Sequence, residues 1–238
     1  MDQSINRSLA IIPARSGSKS IKNKNVKLFN GKPLIAWTIE LALASNLSRV
    51  IVTTDSEEIK KIAIDYGAEV PYLRDNELSS DTIGIEPVIT DVIDYLSEIE
   101  EYVPDCITLL LPTSPFRSVD DINRSIELYE KKDVTSVVSV SLATANHNPY
   151  WMLRKDNDVV TMFDGSNLSK MISRRQDLPS FFIKNDFVFT INPNNLFLNE
   201  SSLYGDRVEL MPISEDRLDV DINTDKDWKI AELLFEFL

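Results

Sequence analysis

One cysteine, one histidine and six glycines are all that 238 residues contain of these types. Each scarcity narrows what the chain can be. A lone Cys106 excludes an internal disulfide framework. It lies in the apolar run CITLLL, which reads as a buried, inert thiol of a reducing compartment. A lone His147 leaves no histidine cluster for a metal. Beside Asn148-Pro149 it reads as a structural or rim residue. No apolar run approaches the roughly 18–20 residues of a bilayer-spanning helix. The opening MDQSINRSLAIIPAR is too polar for a secretory signal. These absences lead to the expectation of a cytoplasmic protein without membrane contact.

Acidic residues are missing from Gln3 to Ile39, although the chain as a whole carries a net charge of −13. Arg7, Arg15, Lys19, Lys22, Lys24, Lys27 and Lys32 all fall in that stretch. The rest of the chain is therefore strongly negative, which opposes a nucleic-acid surface. A local basic loop on an acidic protein points instead to a small anionic ligand.

Hydrophobic residues make up 43% and charged residues 26%, ordinary values for a globular domain. Apolar runs predict strands at Leu9–Ala14, Val50–Thr53, Ala68–Tyr72, Ile107–Leu111 and Ser136–Val140. Between them, helices are predicted from Pro33, from Asp55-Ser56, over Glu86–Leu96 and from Asp120-Asp121. Such alternation predicts an α/β fold with a mostly parallel sheet and helices on both faces. From about 142 to 182 the pattern breaks into a polar stretch, with a hairpin near Asp156-Asn157-Asp158 and a turn at Asp164-Gly165. This reads as an arm inserted into a single domain. Phe187–Ile191 and Val208–Pro212 are predicted strands, and DWKIAELLFEFL a closing helix capped by Asp225 and Asp227.

The loop Arg15-Ser16-Gly17-Ser18-Lys19-Ser20 is not a P-loop. Counting back from Lys19, the required glycines would be Ser18 and Pro13. It nevertheless follows the first strand, where open α/β sheets bind ligands. Gly17 admits close backbone approach, Ser18 offers a donor, and Arg15 and Lys19 can clamp phosphate oxygens. In Leu218-Asp219-Val220-Asp221-Ile222, a strand would put both carboxylates on one face. Such a pair suits magnesium held together with substrate phosphates.

The stretch IIPARSGSKSIKNKNVKLFNGKPLIAWTI resembles the N-terminal signature of the acylneuraminate (CMP-sialic acid) cytidylyltransferases. Further blocks follow in that family's order: Thr53-Thr54-Asp55 with Glu58-Ile59; Arg74, Leu78, Ser79 and Asp81; Pro112 through Arg117; Arg175-Gln176-Asp177-Leu178-Pro179; and LDVDINTDKDW. The resemblance implies a Rossmann-like nucleotidyltransferase fold and CMP transfer from CTP to a sialic-acid-type (nonulosonic) sugar acid. It assigns Ala14, Arg15, Ser18, Lys19, Lys24 and Asn25 to the nucleotide, with Arg74 and Asp81 lining that site. Arg15 and Lys19 would assist catalysis, and Asp219 and Asp221 would hold Mg2+. Leu111, Thr113, Ser114, Trp151, Arg175 and Gln176 would meet the sugar. A homodimer is implied, with Arg175 near the partner's sugar site.

Three positions depart from the family pattern. Leu111 stands where a glutamine precedes PTSP, Trp151 where a lysine follows His-Pro, and Asn185-Asp186 where Asn-Gly follows the RQ block. The first two replace a polar sugar contact by an apolar one, and NPYW is similar to the NPYF segment of enzymes that activate legionaminic acid. The alternatives are a CMP-3-deoxy-octulosonate synthetase, whose first loop differs, and an inactive nucleotide-binding module, which the intact Arg15, Lys19, Asp219 and Asp221 oppose.

Overall fold

A computed structural model describes residues 7–80, 82–198, 200–214 and 216–237. In chain order the elements are β1 (Ser8–Pro13), β2 (Leu28–Phe29), β3 (Lys32–Pro33), α1 (Leu34–Leu43), β4 (Arg49–Thr53), α2 (Glu57–Asp65), α3 (Ile85–Glu100), β5 (Cys106–Leu109), α4 (Val119–Lys131), β6 (Ser136–Leu142), β7 (Leu153–Asp156), β8 (Val159–Met162), β9 (Phe182–Ile191), β10 (Val208–Pro212) and α5 (Asp225–Phe235). Among the described residues, six strands form the main sheet in the order β10-β6-β9-β5-β1-β4. All neighbouring pairs are parallel except those of β9, which runs antiparallel to both β5 and β6.

Side-chain alternation along β1 sorts the core. Ala10 and Ile12 face a cluster built with α1, α2, α4 and α5. Leu9 and Ile11 face the other side, against Ile89, Val92 and Leu96 of α3. Burial on both faces is why β1 reads as a continuous apolar run. Helix starts follow local capping chemistry. Ser118 and Asp121 form a capping box on α4, and Thr224 and Asp227 form one on α5. Asp225 lies inside the first turn of α5, where its charge suits the helix dipole.

The fold differs from the expectation in three places. Ala68–Tyr72 contributes only a single bridge, Glu69 to Ile51, because Pro71 lacks the N–H that would extend the ladder. β9 begins at Phe182 rather than Phe187 and is reversed, which no apolar pattern reveals. Leu218–Ile222 forms no strand; its recorded backbone tie is Ile222 N–H to the Thr113 carbonyl at 2.9 Å. The inserted arm carries the β7–β8 hairpin, turned at Asn157 with φ of 54°. Gly165, with φ of 83°, makes the second turn.

Four aromatic rings lock the first loop to the closing helix. Phe29 is fully buried and meets Trp37, Trp228 and Phe235 edge-on at centroid distances of 6.3, 5.5 and 5.3 Å. Phe29→Ala would open a cavity at this junction. The expected cost is about 3–5 kcal/mol, to be read as a shift of the denaturation midpoint at unchanged m-value. A loss below about 1 kcal/mol would show that the junction collapses to fill the space.

Candidate active site

The loop after β1 is fixed by hydrogen bonds that span the chain. Ser16 donates through its N–H and hydroxyl to the two oxygens of Asp55, at 2.8 and 2.7 Å. Asn25 is buried and donates from Nδ2 to the Arg15 carbonyl at 3.0 Å. Lys24 Nζ reaches the Ile222 carbonyl at 2.8 Å, 198 positions away in sequence. A Cβ built on Gly17 would meet nothing within 4 Å, so the loop backbone faces open space.

These ties shape a cleft of about 590 Å³ at the carboxyl ends of β1 and β5. Arg15, Ser18, Lys19, Lys24 and Asn25 of the loop line it together with Leu111, Thr113, Asp186, Asp221 and Asn223. Past Arg15 and Leu111 a second hollow of about 290 Å³ contains Arg74 and Leu78. Arg74 is buried, and its Nε donates to Ser79 Oγ at 3.1 Å. Ala14 is buried at the root of the loop, its N–H bound to the Thr53 carbonyl at 3.0 Å. Asp81 lies outside the described residues.

The two acids of the LDVD segment do not share one hollow. Asp221 opens into the cleft, whereas Asp219 lines a separate hollow of about 370 Å³ with Ser141, Asn148, Arg175 and Arg217. Its carboxylate accepts from Ser141 Oγ. Without a ladder partner, the segment is not held to the alternation of a paired strand. Burial raises the Asp221 pKa; a Thr113 hydrogen bond opposes this and the charge of Asp186 adds to it. Burial likewise lowers the Lys24 pKa, against the pull of Asp221.

The expected sugar contacts scatter. Leu111 and Thr113 line the cleft, and Arg175 lines the Asp219 hollow. Ser114 is buried behind the loop. Trp151 donates from Nε1 to the Ile172 carbonyl at 2.7 Å within the arm, and Gln176 is exposed on a short turn of the arm. Neither lines the three hollows described above. His147 is exposed and shares a hydrogen bond of 2.9 Å with Thr144.

Two residues were not singled out from sequence. Asp186 lines the cleft facing the basic loop; its only sequence signal was the departure from Asn-Gly. Arg117 is buried, and its guanidinium donates to Thr38 Oγ1 at 3.2 Å, to the Leu111 carbonyl at 2.8 Å and to the Asp186 carbonyl at 3.1 Å. Among the described residues no carboxylate lies within ion-pairing distance of it, and its Nε is unpartnered.

A loop with several cations beside carboxylates at the carboxyl end of a mostly parallel sheet is placed to bind a small anionic ligand. The cytidylyltransferase family profile matches residues 9–235, and the chain belongs to that family. It is 32% identical to the CMP-N,N'-diacetyllegionaminic acid synthase of Legionella pneumophila, covering 97% of each chain. It is 31% identical to the pseudaminic acid cytidylyltransferase of Campylobacter jejuni, again over 97% of each. With the N-acylneuraminate cytidylyltransferase of Escherichia coli it shares 35% identity over 94% of this chain and 51% of that one. A solved CMP:2-keto-3-deoxy-manno-octonic acid synthetase in complex with CTP superposes with a TM-score of 0.71 at 15% identity, over 98% of this chain and all of that one. That likeness concerns the fold.

Asp55 anchors the loop without lining the main cleft. Hydrogen bonds to a charged acceptor contribute about 1.5–3 kcal/mol, so Asp55→Ala should weaken binding of a phosphate-bearing ligand at the loop roughly tenfold in calorimetry. Unchanged affinity would show that the loop is held without it.

Proposed function

We propose that this chain transfers CMP from CTP to the anomeric hydroxyl of a nonulosonic sugar acid, releasing pyrophosphate. The observation that carries the reading is the single cleft in which the Arg15–Asn25 loop faces Thr113, Asp186 and Asp221. The three relatives, which act on legionaminic, pseudaminic and neuraminic acids by name, support the acceptor class. Leu111 on the cleft wall favours a methyl-bearing deoxy sugar such as a legionaminic acid. A leucine cannot satisfy a buried hydroxyl, a deficit of roughly 1–3 kcal/mol.

In this reading the anomeric oxygen attacks the α-phosphorus in line, its proton passes to water, and the bond from phosphorus to the pyrophosphate oxygen breaks, the electron pair leaving with pyrophosphate. Arg15, Lys19 and Lys24 neutralise the departing charge, and the open backbone at Gly17 lets phosphate oxygens approach N–H groups. The residues fit magnesium: Asp221 Oδ1 is buried and accepts no hydrogen bond among the described residues. Asp221 would hold the ion. No group of three or more His, Cys, Asp or Glu among the described residues surrounds a metal position, so substrate phosphates and water would complete the shell. Bound magnesium would neutralise phosphate charge. Asp219, beside Arg175, then belongs to the sugar side.

The arm exposes Met152, Leu153, Val159, Val160, Phe163 and Leu168, more apolar surface than a solvated hairpin carries by chance. Leu153 and Val160 share one face of the β7–β8 hairpin, and a second copy covering that face, in a homodimer, completes the proposal. Among the described residues no helix is long and apolar enough to cross a membrane. Cys106 is buried and free, its thiol pushed up to about 12 by burial, which is compatible with the reducing cytoplasm.

Pyrophosphate release should require CTP, a divalent cation and a nonulosonic acid, and should fall sharply with UTP or ATP. Asp221→Asn should lower turnover by about 10²-fold. A panel of sugar acids in which none supports CTP-dependent release would overturn the reading. Sedimentation at micromolar concentration should give a dimer, and Val160→Glu should shift it toward monomer; a monomeric wild type at full activity would remove the second copy.

A further inference from the structure

Asp186 sits where β9 passes the end of β5. A single nitrogen, Arg117 Nη2, donates both to the Leu111 carbonyl at 2.8 Å and to the Asp186 carbonyl at 3.1 Å. The two residues are therefore held side by side, and both line the cleft. The backbone of Asp186 is fixed by a buried cation, and its side chain is steered by Lys184 Nζ on Oδ1 at 2.5 Å. No hydrogen bond from the described residues reaches Oδ2. The Asp186 side chain is 24% exposed, so the carboxylate is neither sunk in the core nor free in solvent. Lys19 and Lys24 line the same cleft.

We infer that Asp186 is a specificity-determining acceptor, receiving an N–H donor of the sugar acid beside the apolar patch of Leu111. The inference rests on the reading of the cleft as a cytidylyltransferase site. An acceptor-only carboxylate makes two demands. Its charge, partly offset by Lys184, favours turning the carboxylate of the incoming acid toward Lys19 and Lys24. It also requires a donor at the opposite end, and an acylamino N–H next to a methyl group matches a carboxylate next to a leucine. A site built to bond such a donor discriminates strongly against an analogue lacking it.

The test is a residue-by-ligand cycle. Wild type, Asp186→Asn and Asp186→Gly are assayed at saturating CTP and Mg2+ with a diacylamino nonulosonic acid and with its counterparts N-methylated at each acylamino position. With the parent acid, Asp186→Gly should raise the KM for the acid roughly 10- to 100-fold, with the KM for CTP and the Mg2+ activation midpoint within twofold. Asp186→Asn, which keeps a carbonyl acceptor, should recover part of the loss. For one N-methylated acid the wild type should already be as poor as the glycine variant, and the substitution should then have no further effect. Equal losses with every acid would overturn the inference, as would a shift in Mg2+ activation, which would make Asp186 a metal ligand. If the wild type activates none of the acids, the cytidylyltransferase reading itself has failed, a result distinct from either.

Discussion

A guanidinium buried without an ion pair among the described residues holds the site together. Arg117 lies beneath the cleft and uses its donors on two main-chain carbonyls and one hydroxyl. Burial alone would drive such a charge toward neutrality, and Asp121, Asp186 and Asp221 pull the other way. The cost of burying the charge is offset only if the carbonyls it binds are held in place. The constraint therefore acts in both directions: the strands fix the arginine, and the arginine fixes Leu111 and Asp186. Arg217 adds a clamp from outside, donating to the Phe116 carbonyl at 2.8 Å and to Asp121 at 3.0 Å. The loop between β5 and α4 is thus pinned on two sides, and Thr113 is carried into the cleft by it.

The basic loop depends on a different long-range contact. Lys24 bonded to Ile222 joins the first loop to the acidic segment near the end of the chain, and the Phe29 cluster joins the same two regions through aromatic packing. Both ends of the sequence are needed before the cleft exists. Ser16 is bound to the Asp55 carboxylate and Asn25 to the Arg15 carbonyl, so the loop backbone is fixed where Arg15 and Lys19 line the cleft. Positive charge in a concave site of a net-negative protein focuses its field on small anions.

Much of this was legible in the sequence, where local chemistry was the cause. The continuous apolar strand followed by a basic loop marked β1 and the nucleotide wall, because burial on both faces and a run of cations are properties of neighbouring residues. Capping residues marked α2, α4 and α5 for the same reason. What escaped was non-local. Nothing in Phe187–Ile191 says that β9 is reversed, since parallel and antiparallel strands share an apolar pattern when buried on both faces. Arg117 reads as the end of a motif until the sheet closes over it. The expectation that Asp219 and Asp221 share one hollow assumed a paired strand, and the segment has no ladder to impose that geometry.

The reversed strand also explains where the arm stands. β6 is parallel to β1, so its carboxyl end, Leu142, lies at the end of the sheet where the cleft opens. β9 is antiparallel to β6 and starts at Phe182, paired directly with Leu142. A chain that leaves at 142 and re-enters at 182 must therefore leave and return at the ligand end. Had β9 been parallel, the excursion would have had to re-enter at the opposite end of the sheet, and its residues would have been carried away from the site. The antiparallel register instead brings Asn148 and Arg175 to the hollow that holds Ser141 and Asp219. An insertion whose large apolar side chains are mostly exposed gains its position from the strand order, and the same strand delivers Asp186 to the cleft.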